Sequence, residues 1–531
     1  MLFNSYIFIF AFLPVVVAVY CWVRRYPERM WTIGWLALAS LFYYAWWKPE
    51  FLLLLLGSIA VNAWFGNLLC GRRLSARAAK TALILGVLFN LGLLGYFKYA
   101  GFFVTNLNTA FGAGFSVPQI ILPIGISFYT FQQIAFLVDA HRGVVRHFSL
   151  LNYVLFVTFF PQLIAGPIVH HGEMMPQFAQ RTLPGDRSTD FAVGLSIFCV
   201  GLFKKVVIAD ACAVYADAGY GMLKAGQPLD FASAWITVLA FSFQLYYDFS
   251  GYSDMAVGLA RLFGIHLPVN FHSPYRATGT IDFWRRWHIT LSRFLRDYLY
   301  IPLGGNQRGA IRHYVNLAAV MLLGGLWHGA NWTFVVWGAA HGVLLGINHA
   351  WNQLQISRRA IFSSAPARAL FIGLTFLVVT LAWVPFRADT LAGAVKLMAT
   401  LFPVGADTAT AWKSIEQFWL AQFGDPKQAF NLMAWFKPRE LWPAVLPPAY
   451  LATVRPAGFV LMLIAIATFV LPNTQQIFAR FNPVMGLPDE QLHHRWSLRC
   501  LDWKIAVVIS GMFVFSVLQL SRVSPFLYYQ F

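Results

Sequence analysis

Apolar runs about as long as a bilayer is thick recur along this chain, and they limit its fold more than any other feature. Residues 2–23, 31–47 and 51–70 contain no Asp, Glu, Lys or Arg, and 81–103 and 118–140 contain one such residue each. About twenty apolar residues in a helix cross ~30 Å of hydrocarbon. Inside lipid every backbone N–H and C=O must be paired within the chain, which leaves helices as the spanning form. With 59% of its 531 residues apolar and 11% charged, and a mean hydropathy of +0.60, the chain has too few charges to cover a water-soluble surface. The fold class expected is an all-α polytopic membrane protein.

The charges between these runs set an orientation. Arg24, Arg25 and Arg29 follow the first run, Arg72, Arg73, Arg77 and Lys80 the third, and Arg142 and Arg146 the fifth, whereas 104–117 is uncharged. Basic loops face the cytoplasm, so the N-terminus, 104–117 and the polar insert 387–456 are expected outside. No basic residue precedes 2–23, as a cleaved leader would require, so it reads as a retained first span. The formal charge of +18 is therefore assigned to topology and anionic head groups rather than to nucleic acid. The five cysteines have no zinc or redox spacing and read as small core residues.

The middle of the chain departs from this regularity. Residues 151–169 hold Pro161-Gln-Leu-Ile-Ala-Gly-Pro167, which opposes a straight helix and suggests a broken or re-entrant segment. In 191–209, Lys204 and Lys205 are expected to snorkel to an interface. The span 231–247 runs into Tyr247-Asp-Phe-Ser-Gly-Tyr-Ser-Asp-Met255, which reads as a polar break. On a helical wheel, 282–298 place Trp284, Trp287, Leu291, Phe294, Leu295 and Tyr298 in one arc and Arg285, Arg286, Arg293 and Arg296 opposite. That pattern predicts one helix lying along the membrane surface, anchored to anionic lipid or facing a phosphate-bearing ligand. After 370–386 and the insert, with helix-like pieces at 391–401 and 414–423, two more spans are expected at 457–471 and 503–520.

Gly324-Gly-Leu-Trp-His-Gly-Ala-Asn-Trp-Thr-Phe-Val-Val-Trp-Gly-Ala-Ala-His-Gly342 carries the chemistry. Intramembrane ionisable groups are costly and mark pathways or reactive centres. On one unbroken helix His328 and His341 would lie about 140° and ~20 Å apart. Gly329-Ala-Asn331 is expected to break the helix and leave His328 at its end. A neutral imidazole there could take a proton from a hydroxyl attacking an acyl group, with Asn331 or a backbone amide steadying the oxyanion. Asp248 and Asp254 are six residues apart, about 120° on a helix, so they do not form a matched carboxylate pair. No Walker A, Rossmann, HExxH or G-x-S-x-G pattern occurs. A proton-relaying transporter remains open at this point.

Tyr246-Tyr-Asp-Phe-Ser-Gly-Tyr-Ser-Asp-Met-Ala256, Phe283-Trp-Arg-Arg-Trp-His288, Leu295-Arg-Asp-Tyr-Leu-Tyr300 and Gly324-Gly-Leu-Trp-His-Gly-Ala-Asn-Trp332 resemble the membrane-bound O-acyltransferases (MBOAT). They look most like the AlgI-like branch, the alginate O-acetyltransferase membrane subunits. Leu122-Pro-Ile-Gly-Ile-Ser-Phe128, Leu163-Ile-Ala-Gly-Pro167 and Gly95-Tyr-Phe-Lys-Tyr99 extend the likeness over most of the chain up to residue 386. The resemblance implies a bundle of about 11–13 transmembrane or re-entrant helices, with funnels from both sides meeting at a thin partition. Beyond the matched core at 1–386, orientation counting and the apolar runs give an extracytoplasmic insert at 387–456 and C-terminal spans at 457–531.

The same resemblance makes His328 the catalytic residue, with Asn331, His341, Asp248, Ser250 and Asp254 as supporting candidates. Trp284, Arg285, Arg286, His288, Arg293 and Arg296 are candidates for the donor- or partner-facing side. It implies cytosolic acetyl-CoA as donor, no tightly bound cofactor and no metal. A periplasmic acetyltransferase or SGNH-hydrolase-like partner and a polysaccharide acceptor in the bacterial inner membrane setting are implied too. A relative that moves D-alanine from a carrier protein shares the Phe-Trp-x-Arg-Trp-His and Trp-His-Gly patterns, and is the alternative within the family.

Overall fold

The computed structural model describes residues 1–70, 74–145, 148–179, 187–354, 364–403, 410, 413–414, 450–488, 491, 494–522 and 526–527. Its elements are helices: α1 Phe8–Val23, α2 Arg29–Ala45, α3 Pro49–Cys70, α4 Ala76–Phe111, α5 Ile126–His141, α6 Leu150–Thr158, α7 His171–Ala179 and α8 Ser188–Lys224. There follow α9 Phe231–Leu262, α10 Thr280–Trp284, α11 Ile289–Leu295, α12 Ala310–His328, α13 Trp332–Gln353, α14 Ala365–Arg387, α15 Leu391–Leu401, α16 Tyr450–Val470 and α17 Trp503–Gln519. Among the described residues α3, α4, α8 and α14 are long and apolar enough to cross a membrane. Helix starts are satisfied locally. The side chains of Ser75, Asp230, Asn331, Ser364, Thr390 and Asp502 each accept a hydrogen bond from an N–H of the first turn.

The break expected at Pro161–Pro167 is present: α6 stops at Thr158 and only a short turn, Phe160–Leu163, follows. Three other expectations are corrected. The polar stretch 247–255 does not interrupt its span, because α9 runs unbroken for 32 residues. Its carboxylates are paired, which removes the reason for a break. Lys205 Nζ lies 2.8 Å from both Asp248 Oδ1 and Asp210 Oδ1, and Lys204 Nζ lies 2.7 Å from Asp254 Oδ2. Lys205 therefore does not snorkel; it is 3% exposed and bonds inward. Thr474 and Gln475 complete the shell of Asp254, and the Leu527 N–H donates to Asp248, so the network ties the C-terminal tail to the core.

The third correction concerns 282–298. It is not one surface helix: α10 ends at Trp284, the chain turns at His288 with φ of 43°, and α11 begins at Ile289. A positive φ breaks helical periodicity at a non-glycine residue and is uncommon. Trp287, Leu291 and Phe294 go into the core instead of lipid. The expected helix at 391–401 is α15; the one at 414–423 lies almost wholly outside the described residues.

Candidate active site

Helix α12 ends at His328, and Gly329 leaves in extended conformation toward the cap of α13. The break expected from Gly329-Ala-Asn331 is thus present. Asn331 builds the start of α13: its Oδ1 accepts from the Thr333 N–H at 3.1 Å and its Nδ2 donates to the Asp389 carbonyl at 3.2 Å. Both ends of the carboxamide are committed to backbone, so Asn331 shapes the break.

The two helices around the break pack backbone to backbone. A Cβ at Gly338 would lie 2.4 Å from the Met321 carbonyl oxygen, and one at Gly325 would lie 2.3 Å from that of Phe334. Small residues permit such close crossings in membranes. Gly338→Ala is therefore expected to lower the thermal midpoint of the detergent-solubilised protein. The cost of overpacking, about 1–3 kcal/mol, outweighs the ~1 kcal/mol gain in helix propensity, since backbone cannot step aside. Gly346→Ala, whose new methyl would meet only the Tyr314 ring at 3.8 Å, should be neutral or stabilising in the same melt.

A helix end leaves its last carbonyls without intrahelical partners, and here residues of α4 supply them. The Gly95–Tyr99 segment of α4 is a π-helical turn, a widening often found at functional sites. From it Lys98 Nζ donates to the carbonyls of Trp327 and His328 (3.1 Å to the latter), and Tyr99 Oη donates to that of Leu326 at 2.9 Å. The sequence reading passed over Lys98, although a lone lysine inside an apolar run was a usable signal.

His328 is 5% exposed and sits in an aromatic box. Its ring centroid lies 4.9 Å from Trp327, 5.1 Å from Trp337, 5.3 Å from Phe386 and 6.5 Å from His288. His288 is fully buried, with Nδ1 3.1 Å from Asn270 Oδ1. Asn270 also accepts from Thr290 Oγ1, which in turn accepts from the Ile168 N–H. That chain fastens the Gly166-Pro167 loop and α11 around the histidine.

His341 also packs on Trp337, 4.9 Å from that ring and 5.1 Å from Trp284. Neither of its ring nitrogens has a hydrogen-bond partner among the described residues. The helix break brings both histidines against one indole, with centroids 5.1 and 4.9 Å from that of Trp337, closer together than an unbroken helix would allow.

Two cavities flank this box. One, of about 570 Å³, is lined by Met1, Leu2, Trp47, Lys98, residues 121–128, Ile164, Trp327 and His328. The other, of about 820 Å³, lies among α10, α13 and α14 and is basic, with Arg276, Arg285, Arg286 and Arg368 in its wall. Arg276 is tied to the Thr468 and Leu471 carbonyls, and Arg286 Nε pairs with Asp282 at 2.7 Å. Arg285 and Arg368 form no ion pair among the described residues.

Of the remaining candidates, Arg293 grips Glu173 with two bonds of 2.6 and 2.9 Å, and Arg296 pairs with Asp297. Asp248 and Asp254 belong to the lysine network already described, and Ser250 is buried on the same helix, α9. The structure thus gathers His328, His341, His288 and Trp284 into one box. Arg285 and Arg286 lie at the basic cavity, and the rest lie elsewhere.

The sequence comparisons give the family. Residues 139–377 match the MBOAT, membrane-bound O-acyltransferase family. The chain is 46% identical over 424 residues to the "Peptidoglycan O-acetyltransferase" of Helicobacter pylori, covering 75% of this chain and 79% of that protein. It is 43% identical over 413 residues to the "Probable alginate O-acetylase AlgI" of Pseudomonas aeruginosa, covering 76% and 75%. The protein of the same name from Pseudomonas putida is 38% identical over 542 residues and aligned end to end in both chains. With a helical membrane bundle, a buried histidine at a helix break and relatives of this kind, the chain belongs to the membrane-bound O-acyltransferase family and is an O-acyltransferase.

Proposed function

We propose that this enzyme takes acetyl from acetyl-CoA at the cytoplasmic face of the bacterial inner membrane and delivers it across the membrane for O-acetylation of an exported polysaccharide. Delivery is direct or through a periplasmic acetyltransferase or SGNH-hydrolase-like partner. The observation that carries this reading is the position of His328, which lines one cavity and packs on Trp337, whose ring also meets His341 of α13 and Trp284 of α10, two of the helices that line the basic cavity. Arginine is suited to phosphate oxygens, so Arg285 and Arg368 fit the nucleotide end of the donor.

In the chemical step an acceptor hydroxyl attacks the thioester carbonyl while an imidazole nitrogen of His328 takes its proton. The C–O bond forms, the C–S bond breaks, and the thiolate leaves and is reprotonated. An alginate-type acceptor is supported by the end-to-end likeness to the Pseudomonas putida protein. Peptidoglycan and cellulose are the competing outcomes.

Inner-membrane vesicles given radiolabelled acetyl-CoA, or labelled D-alanyl carrier protein, test the reading. Acetyl label is expected in the extracted polymer. Label moving only from the D-alanyl carrier, or no covalent transfer at all, would reject it in favour of the D-alanyl or transporter alternatives.

Orientation has its own test. With exposed Cys21 and Cys500 replaced, Gly114→Cys should react with an impermeant thiol reagent in cells with a permeabilised outer membrane, and Ser75→Cys should not. Outside labelling of Ser75→Cys would invert the topology.

A further inference from the structure

Lys98 is the one charged side chain in the wall of the 570 Å³ cavity beside His328; nearly all the other lining residues are apolar. It is half-buried and forms no ion pair among the described residues. An ammonium has three N–H donors. Two of them are directed to the Trp327 and His328 carbonyls, and the Trp327 ring lies 5.8 Å from the nitrogen. The carbonyl end of a helix carries only about half a negative charge. The cap therefore fixes where the ammonium sits without neutralising it, and positive potential remains facing the cavity.

We propose that Lys98 is an acceptor-binding residue, selecting a sugar acceptor that carries a carboxylate near its reacting hydroxyl. This rests on the reading above, which gives the basic cavity to the donor, and takes the cavity on the His328 side for the acceptor. The anion would use the third donor of the ammonium and supply the charge that the helix end leaves unmatched. Because the same nitrogen holds the His328 carbonyl, the carboxylate would sit within a few ångströms of the residue that takes the hydroxyl proton. Charge-assisted bonds in sites shielded from water are among the stronger polar contacts, so one such contact can decide between acidic and neutral sugars.

The test uses the full chain in lipid nanodiscs and calorimetric titration with a hexuronate disaccharide and its carboxyl-reduced, neutral counterpart. The wild type should bind the hexuronate about tenfold or more tightly than the neutral sugar, the scale of ~1.4 kcal/mol. Lys98→Arg should keep this preference. Lys98→Gln retains a donor for the carbonyls but no charge, and should bind both sugars equally, with an unchanged thermal midpoint. An equal preference in wild type and Lys98→Gln, or no preference in the wild type, overturns the proposal.

His328→Ala should retain the preference, since the readout needs no turnover. If acetyl transfer is absent while the Lys98-dependent preference persists, the donor reading fails and the acceptor site stands. If transfer occurs without any such preference, the acceptor site fails and the donor reading stands.

Discussion

His328→Ala is expected to remove acetyl transfer almost completely, by roughly 10²–10⁴-fold, while the protein still inserts and folds. The acceptor hydroxyl is far too weak an acid to attack a thioester unaided at neutral pH, and His328 is the titratable side chain shared by the cavity wall and the helix break. His328→Gln keeps bulk and polarity but cannot accept the proton, so it should be as inactive as the alanine variant. His341→Gln should retain more activity. Its ring nitrogens make no hydrogen bond among the described residues, and it packs on Trp337 without lining the cavity that His328 lines. The measurement is label passing from acetyl-CoA into polymer, with size-exclusion behaviour of purified protein reporting folding. Near-normal transfer by folded His328→Ala would remove the histidine from the mechanism.

Lys205→Met should destabilise the core by about 3–5 kcal/mol, because it leaves uncompensated buried charge. Asp248 is 2% exposed, and both it and Asp210 depend on the same ammonium at 2.8 Å. Against a typical total stability of roughly 5–15 kcal/mol, that loss should appear as little folded protein and a sharply lower thermal midpoint. Lys205→Met combined with Asp248→Asn should recover part of it, since one stranded carboxylate is then neutral. If the double variant folds and regains transfer, the carboxylate is structural; if it folds well but stays inactive, Asp248 has a part in the reaction. Wild-type stability in Lys205→Met alone would show that the network contributes nothing.

Much of the bundle was legible because it depends on local pattern. Apolar length marked the spans, the paired prolines marked the end of α6, and Gly329-Ala-Asn331 marked the stop after His328. Most of the misreadings come from judging a polar side chain without its partner. Asp248 and Asp254 looked like a break and Lys204 and Lys205 like snorkelling residues, yet Asp248 pairs with Lys205 and Asp254 with Lys204. Arg293 looked ready for a ligand but is held by Glu173, 120 residues earlier in sequence. The wheel over 282–298 assumed a continuous helix, and His288 in a left-handed conformation invalidates it.

The sequence by itself determined the membrane-helical class and the break at His328, because hydropathy and glycine placement act within one or two helical turns; the acyl-transfer chemistry entered through the resemblance of its motifs. Only the tertiary structure decided which polar groups meet. The pairing of Lys98 with the helix end more than two hundred residues away, and the meeting of the two histidines at Trp337, depend on how helices cross. In a medium of low polarity an ionisable group is tolerated only where another part of the chain answers it, and that answer is a property of packing in three dimensions.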